Sequence, residues 1–363
     1  MLRAFFWFKE PFRLRLLSAS FVSSLPMKTR VMSLLMLAGL LAPVSALSAA
    51  SAPEVKLTRA ADRVRVEVGG QLFTEYIFKG APKPFLYPVL AGDGTEMMRH
   101  FPVKNDVEGE VRDHPHHRSL WFTHGAVNGI DFWAESDLKK QGQIVNESVE
   151  HAVKGGAGEI RSRNKWVGPD GMVHLTDETT VRARGLADGS RVLDYEVTLK
   201  APAGKPVVFG DTKEGSMAIR LPLWMTPPHS YSANKQRVKH EGAGTIINAE
   251  GIKNDATWGK KSTWVDYHGP KNGKVYGVAM FDHPKNPRHP TWWHVRSYAL
   301  FAANPFGKHD FEGTKEKPLP ATAGDLTIPA GGSVTFRWRF YFHQGNERDG
   351  KVAERYKEYV AGK

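Results

Sequence analysis

The chain has 363 residues, a formal net charge of +12 at pH 7 and no cysteine. The absence of cysteine excludes disulfide bonds, a thiol nucleophile and thiolate metal ligands. The basic residues form no run interleaved with aromatic residues. The composition therefore argues against nucleic-acid binding and indicates at most a mild preference for acidic glycans or an anionic cell envelope.

The beginning of the chain has the pattern of a secretory signal. Residues 27–30 are a short basic segment, residues 31–41 are apolar, and small residues suited to cleavage occupy 44–46 and 48–50. We therefore expect export to the periplasm or the cell exterior, with no membrane attachment after cleavage.

This signal also sets the expected domain boundaries. Residues 1–26 are either an extension upstream of a start at Met27 or a long basic region of the signal. We expect residues 1–52 to be the signal with any such extension. Residues 53–363 should form a single β-sandwich domain, because about 310 residues are enough to enclose one large core.

Alternation of apolar and polar residues dominates the rest of the chain. In Arg63–Val68 the valines share one face and the charged residues the other, and Gly69-Gly70 turns the chain into Gln71–Phe78, so a hairpin is predicted. Further strands are predicted at Glu159–Val167, Met172–Ala183, Arg191–Leu199, Val207–Asp211, Ser216–Trp224, Thr263–Tyr267, Val275–Phe281, His294–Ala302, Leu326–Ile328 and Ser333–Phe342.

The predicted fold class is all-β. Short strands separated by turns indicate a large antiparallel sandwich, and the lack of a repeat of about forty residues disfavours a propeller. Helical spacing of apolar residues occurs at Arg348–Ala361, which predicts one short C-terminal helix.

Residues 113–133 are the strongest candidate for a functional site. The segment contains four of the chain's fifteen histidines, with an arginine, carboxylates and tryptophans. Imidazole exchanges protons near neutral pH, aromatic rings stack on sugars, and a guanidinium holds negative charge. The alternative is a structural turn around Pro115 whose histidines bind backbone. The candidate residues are His114, His116, His117, Arg118, Trp121, His124, Asp131 and Trp133.

A second cluster lies in residues 281–296, where a proline-rich loop leads into a strand. On that strand His294 and Arg296 share a face by alternation, Trp293 is a candidate for sugar stacking, and Asn304 follows in the next segment. The alternative is a rigid surface loop. If both clusters line one groove, we expect His116, His117 or Arg118 within about 10 Å of His294 or Arg296.

The acid-base chemistry needs a carboxylate beside a histidine. Glu214, where a turn enters a strand, and Asp131 are the candidates, and an ordinary Lys-Glu surface turn is the alternative for Glu214. The predicted catalytic set is His116 and His117 with Glu214 and His294.

A divalent metal is a further alternative, because His114 and His116 are two residues apart and an extended backbone would put both imidazoles on one side. The third ligand would be His124, Asp131 or His294, and the set to expect is His114, His116 and His124. Otherwise no cofactor is predicted.

Several motifs occur together along the chain: Lys83-Pro84-Phe85-Leu86-Tyr87-Pro88, residues 113–133, Asp211-Thr212-Lys213-Glu214-Gly215, Asn286-Pro287-Arg288-His289-Pro290 with Trp293-His294-Val295-Arg296, and Ala303-Asn304-Pro305-Phe306-Gly307. In these motifs the chain resembles a family of secreted bacterial proteins of unknown function, called PmoA-like or "methane oxygenase PmoA". Methane oxidation is rejected, because that enzyme's subunit is a polytopic membrane protein and this chain has no internal span of about twenty apolar residues.

The overall pattern is similar to the galactose-mutarotase-like β-supersandwich, whose members bind and transform sugars on one concave sheet. By this analogy the leading hypothesis is an exported carbohydrate-active enzyme, an epimerase, lyase or hydrolase, that uses histidine and carboxylate. The alternatives are a non-catalytic glycan-binding protein and a metal-dependent hydrolase or lyase. The expected partner is a small carbohydrate or a glycan, and the sequence does not specify an oligomeric state.

Overall fold

The computed structural model describes residues 51–233 and 236–363, without the side chains of residues 231–236. The secretory signal predicted from the sequence therefore lies outside the described residues, except for residues 51 and 52. The described residues all belong to one compact unit.

The described chain is built mainly of strands, as predicted. They are β1 (Val55–Arg59), β2 (Arg63–Val68), β3 (Gln71–Ile77), β4 (Phe85–Val89), β5 (Leu120–His124), β6 (Gln143–Lys154), β7 (Ala157–Val167), β8 (Val173–Gly185), β9 (Arg191–Lys200), β10 (Val207–Phe209), β11 (Gly215–Arg220), β12 (His229–Ala233), β13 (Gln236–His240), β14 (Thr245–Asn248), β15 (Trp264–Lys271), β16 (Lys274–Asp282), β17 (Trp292–Val295), β18 (Leu300–Asn304), β19 (Leu326–Ile328) and β20 (Ser333–Gln344).

These strands make two eight-stranded antiparallel sheets and two short strand pairs. The first sheet has the order β1-β2-β3-β4-β5-β11-β18-β17, and the second has the order β14-β15-β16-β20-β9-β8-β7-β6. The small pairs are β10 with β19 and β12 with β13. The all-β antiparallel sandwich predicted from the sequence is confirmed.

Helices are short and few in this part of the chain. The predicted C-terminal helix is present as α2 (Val352–Val360), and α1 (Lys308–Glu312) is a single turn. Leu223–Met225 and Asn254–Thr257 are 3-10 turns. None of the helices in the described ranges is long and apolar enough to cross a membrane.

Alternation along β5 defines the two faces of the first sheet. The Phe122 ring packs on Trp166, Tyr195 and Trp338 of the second sheet, so it lies in the core between the sheets. Because neighbouring strand residues point to opposite faces, Trp121 lies on the outer face of the first sheet. The candidate site is therefore on the side of this sheet that faces away from the core.

One predicted strand is wrong in a way that matters for the site. The sequence predicts a continuous strand at His294–Ala302, but the structure has β17 and β18 as an antiparallel hairpin. A tight turn joins them: Arg296 N donates to Leu300 O and Ala299 N donates to Arg296 O. Ala299 has φ of 80°, the left-handed region that alternation in a sequence does not reveal.

Candidate functional site

The two histidine-rich segments lie on the same face of the first sheet. The strand registers pair Trp121 with Ala218, Ala218 with Ala302, and Ala302 with His294, in one row across β5, β11, β18 and β17. Directly paired residues point to the same side of a sheet, and three strand spacings separate the ends of the row by about 14 Å. Topology therefore brings together segments that are far apart in sequence.

Four aromatic rings form a stacked column on this face. Trp121 lies at the bottom, and the ring of His117 stacks on it with centroids 5.2 Å apart. His114 stacks on His117 at 4.7 Å, and Tyr298 stacks on His114 at 5.4 Å. Tyr298 comes from the turn between β17 and β18, so this column is the contact between the two segments.

The tryptophans of the first segment support the histidines from below. Trp133 packs against Trp121 at 5.3 Å and against His117 at 5.7 Å, and His116 lies above Trp133 at 6.2 Å. Both tryptophans are almost completely buried. The predicted role of these two indoles as sugar platforms is thus incompatible with their burial.

Asp113 is the centre of a charged network. Its Oδ1 accepts hydrogen bonds from Arg220, at 2.7 Å, and from Arg99, while its Oδ2 accepts one from His114 Nδ1 at 3.0 Å. Burial alone would raise the carboxyl pKa, but the His114 hydrogen bond and the charges of Arg220 and Arg99 hold the pKa of Asp113 well below its ordinary value. Asp113 is therefore an ionised carboxylate that orients His114.

His114 projects to the rim of the site. Its side chain is 41% exposed, and its backbone φ of 44° is in the left-handed region. Non-glycine residues held there often belong to functional sites. Because Nδ1 donates to Asp113, Nε2 carries the lone pair and can accept a proton from a bound molecule.

The tautomer of His117 is the opposite of that of His114, because its Nδ1 accepts a hydrogen bond. Arg220 Nη1 donates to His117 Nδ1 at 2.9 Å, so Nδ1 is an acceptor and Nε2 carries the hydrogen. Burial and the adjacent Arg220 keep the pKa of His117 far below its usual value. His117 is therefore a neutral ring inside the column, with its basic nitrogen already engaged.

His116 is half-buried beside His117, with ring centroids 4.4 Å apart. Burial, followed by the charge of Lys83, lowers the pKa of His116 to about 3. This imidazole is neutral at physiological pH and cannot serve as a general acid there.

Arg118 belongs to a buried ion triad. Glu135 accepts hydrogen bonds from Arg118, with Nε to Oε2 at 2.7 Å, and from Lys83 Nζ, which also donates to Trp133 O at 3.3 Å. Burial opposes ionisation of Glu135, but the charge of Lys83 and the Arg118 hydrogen bond hold its carboxyl pKa below the ordinary value. The triad ties the segment after β5 to Lys83 just before β4.

Three predicted site residues hold a loop instead of facing a ligand. His124, His294 and Asn304 each bind a backbone carbonyl of the loop at residues 210–214, and all three are buried. Burial lowers the pKa of both histidines to about 4, so they are neutral. The distances are 2.8 Å from His124 Nε2 to Gly210 O, 2.9 Å from Asn304 Nδ2 to Thr212 O, and 2.7 Å from His294 Nδ1 to Lys213 O.

His124 and Trp293 point into the core. The His124 ring packs on Phe306 at 4.5 Å, and the Trp293 ring packs on Phe301 at 5.8 Å and donates through Nε1 to Ser262 O. This follows from alternation along the strands. Trp293 is next to His294, and His124 is three residues after Trp121, and both His294 and Trp121 lie on the outer face. His124 therefore does not lie on one side with His114 and His116, as the predicted metal ligand set requires, and the Trp293 ring is buried away from the face on which it was predicted to stack on a sugar.

The carboxylates predicted to partner a histidine do not do so. The Glu214 side chain is 39% exposed, and its nearest charged partner is Lys213 Nζ at 3.3 Å. Asp131 Oδ1 accepts the backbone N–H groups of Trp133 and Ala134, so it caps the turn that positions Trp133. Asp113, inside the same histidine-rich segment, has the role expected of Glu214.

Arg296 is at the edge of the site, next to Tyr298. Its guanidinium carbon lies 5.6 Å from the centre of the Tyr298 ring and 5.7 Å from that of Trp258. Arg220 contacts the other part of this centre, 5.0 Å from the Tyr298 ring. Burial raises the pKa of Tyr298, so its hydroxyl is neutral and able to donate.

Sequence reasoning missed several residues of this centre. Alternation could have indicated that Arg220 faces outward, because it lies two residues after Ala218 on β11 and both therefore lie on one face. Lys83 is in a motif that the resemblance singled out. Arg99, Glu135 and Tyr298 carry no comparable signal, since their contacts depend on loops whose paths the sequence pattern does not specify.

A different group of residues has the spacing of metal ligands. Within the described residues, only Asp266, His268 and Glu347 bring three such ligand atoms within 4.8 Å of one another. They belong to the second sheet and its following loop. Asp266 Oδ2 accepts a hydrogen bond from His268 Nδ1 at 2.7 Å, and its Oδ1 accepts one from His343 Nε2 at 2.9 Å, so both oxygens are already occupied.

The fold and the site define a two-sheet β-sandwich protein with a histidine, arginine and tyrosine centre on the outer face of one sheet. The chain belongs to a family of unknown function, DUF6807, whose family model matches residues 63–357. No curated protein matches the sequence.

Comparison with solved structures gives only weak similarity. A 4-alpha-glucanotransferase from Thermococcus litoralis has 13% identity and a TM-score of 0.30, covering 79% of this chain and 39% of that one. A polysaccharide lyase has 15% identity and a TM-score of 0.26, covering 83% and 34%. A GalM/aldose epimerase homologue from C. elegans has 6% identity and a TM-score of 0.26, covering 82% and 99%. This chain thus spans well under half the length of the first two.

Proposed function

We propose that this protein is an exported carbohydrate-active enzyme in which the Asp113–His114 pair removes a proton from a sugar. The observation that carries the proposal is the 3.0 Å contact between Asp113 Oδ2 and His114 Nδ1, with the remainder of the His114 ring at the rim of the site. A carboxylate on one imidazole nitrogen orients the ring and stabilises the positive charge that forms when the other nitrogen takes a proton.

The surrounding residues give this pair a stable geometry. Arg99 and Arg220 hold Asp113, and Arg99 Nη2 also donates to His114 O at 3.0 Å, so both members of the pair are fixed. Tyr298 covers one face of the imidazole, and His117 covers the other. We therefore assign proton transfer to His114 in place of His116 and His117, which the sequence had favoured.

The carboxylates favour proton transfer over glycoside hydrolysis. Most glycosidases use two carboxyl groups, one of which must be protonated to act as an acid. Here Asp113 and Glu135 are each engaged by two cations, and both have lowered pKa values for the reasons given above. Epimerisation and β-elimination, which begin with removal of a proton by a base, fit this centre better.

The export part of the proposal is based on the leader pattern in residues 27–50 and on the resemblance to secreted PmoA-like proteins. We propose no methane oxidation, because the sequence after the leader has no span of about twenty apolar residues. The sugar part is based on the aromatic and hydrogen-bonding character of the site, as sugar-binding sites combine ring faces with fixed polar groups.

Proton abstraction is tested by incubating the protein with a panel of neutral and acidic sugars in D₂O and following hydrogen exchange and product formation by NMR. We expect exchange or turnover with at least one sugar. His114→Asn should reduce the rate by roughly 10²- to 10⁴-fold. The matched control is His151→Asn, on exposed β6 of the other sheet, which should leave the rate unchanged.

Full activity of His114→Asn would contradict the assignment of the base. If no sugar reacts but sugars raise the melting temperature, and Tyr298→Ala removes that shift, the glycan-binding alternative is correct.

A further inference from the structure

Arg296 is held in one orientation by its surroundings. Its guanidinium lies between the rings of Trp258 and Tyr298, at 5.7 and 5.6 Å from their centroids. Its backbone is also anchored, because Arg296 N donates to Leu300 O at 2.8 Å and the Tyr267 hydroxyl donates to Arg296 O at 3.3 Å. Aromatic faces leave the edge of a guanidinium, which carries its N–H groups, open to an acceptor.

This guanidinium differs from the other arginines around the site. Arg99 and Arg220 donate to Asp113, and Arg118 donates to Glu135. Across residues 51–233 and 236–363, the Arg296 side chain makes ring contacts but no hydrogen bond or ion pair to a protein acceptor. A fixed and unpaired guanidinium matches the bidentate geometry of a carboxylate.

The local charge favours an anion. Asp113 is shared by two arginines and Glu135 by Lys83 and Arg118, so neither carboxylate has a spare charge to offset another cation. The nearby Glu214 is paired with Lys213 at 3.3 Å. Positive side chains thus outnumber negative ones among these groups, and such an excess raises the local concentration of anionic ligands.

We propose that Arg296 binds a carboxylate of the substrate, so that the sugar acted on is an acidic sugar such as a hexuronate. The inference depends on the proposed carbohydrate activity and narrows its substrate class. The Tyr298 ring connects the two groups: His114 lies 5.4 Å from its centre on one side, and Arg296 lies 5.6 Å from it. The His114 ring centre and the Arg296 guanidinium carbon are therefore at most about 11 Å apart, the sum of these two distances, so a bound sugar that carries a carboxylate is asked to bridge no more than that span.

The test compares glucuronate and galacturonate with the neutral methyl glycosides of glucose and galactose, by calorimetry and by the NMR assay. We expect the uronates to bind roughly 10- to 100-fold more tightly than the neutral sugars, the effect of one charge-assisted pair. Arg296→Gln should remove this preference, so that the uronates bind no more tightly than the neutral sugars do. Arg296→Lys keeps the positive charge but loses the paired N–H groups of the guanidinium, so it should retain part of the preference for uronates.

Arg63→Gln is the matched control, because this arginine is partly exposed on β2 and already paired with Asp62 and Glu75. It should leave the uronate preference unchanged. Melting temperatures of all variants, measured without ligand, show whether each is folded.

Three outcomes would overturn the inference. Equal binding and turnover of neutral sugars would do so while leaving the proposed function intact. A preference for glucose sulfate over glucuronate would show that Arg296 binds a sulfate ester and not a carboxylate. Failure of every sugar to bind or react would remove the proposed function as well.

Discussion

The ring of Tyr298 lies face to face with the ring of His114, with centroids 5.4 Å apart and planes 7° from parallel. These residues are distant in sequence, and they meet because the turn between β17 and β18 approaches the histidine segment that precedes β5. The contact brings a neutral tyrosine, two arginines and an Asp-His pair into one cluster. The predictions below follow from the charges and hydrogen bonds that maintain this arrangement.

Asp113→Asn should nearly abolish turnover while leaving sugar binding largely unchanged. The amide cannot stabilise an imidazolium, and it can turn its N–H groups toward His114, which would select the wrong tautomer. We expect a fall in kcat of roughly 10²-fold or more with a small change in KM. Asp62→Asn, at an exposed ion pair on the first sheet, is the control and should have wild-type kinetics. A wild-type kcat for Asp113→Asn would contradict the role of the pair.

Glu135→Gln should strongly destabilise the protein. The Lys83 and Glu135 side chains are 1% and 5% exposed, so removing the carboxylate leaves a buried ammonium without its counter-charge. The expected loss is about 3–5 kcal/mol in the free energy of unfolding, measured by urea denaturation. Glu178→Gln breaks a pair with Lys200 whose side chains are 46% and 41% exposed, and it should cost only about 0–1 kcal/mol. Equal losses in the two variants would show that burial of the triad is unimportant.

Buried neutral histidines should make the protein less stable in acid. Burial lowers the pKa of His124 from 6.5 to about 4, so between these values the unfolded chain binds a proton that the folded chain does not. The contribution of His124 to the free energy of unfolding is therefore complete above pH 6.5. It is lost as pH falls toward 4, and the total loss is about 3 kcal/mol.

The measurement is the free energy of unfolding from pH 4 to 8 for wild type, His124→Gln and the exposed control His151→Gln. His124→Gln should show a smaller slope between pH 6.5 and 4, although His294, with a similarly lowered pKa, still contributes. His151→Gln should retain the wild-type slope. An unchanged slope in His124→Gln would show that His124 is protonated in the folded state.

The leader pattern predicts cleavage during export. N-terminal sequencing of the protein recovered from the periplasm or medium of a bacterial host should give a start between about Leu47 and Pro53. A mature chain that begins at Met1 or Met27 would contradict export through this signal. A variant with three of the apolar residues of segment 31–41 changed to aspartate should stay in the cytoplasm.

The sequence by itself determined the fold class and the identity of the main segment of the site. Alternation identified β2 without error, because each buried valine is preceded by a charged residue on the opposite, partly exposed face. The density of histidine in residues 113–133 pointed to the segment that contains His114, His116 and His117. Both are local properties of the chain. The two-residue alternation of apolar and polar side chains reveals the first, and the local residue composition reveals the second.

Only the tertiary structure decided what each side chain does. His124 and His117 have the same chemistry in the sequence, but strand pairing points His124 into the core and places His117 under His114. His294 was expected to be catalytic, yet the loop at residues 210–214 covers it and takes its hydrogen bond. A strand was predicted through Tyr298, whereas the chain turns there, and it is this turn that brings Tyr298 onto His114. The roles of these residues depend on contacts between strands far apart in sequence, and a local pattern carries no information about which loops meet.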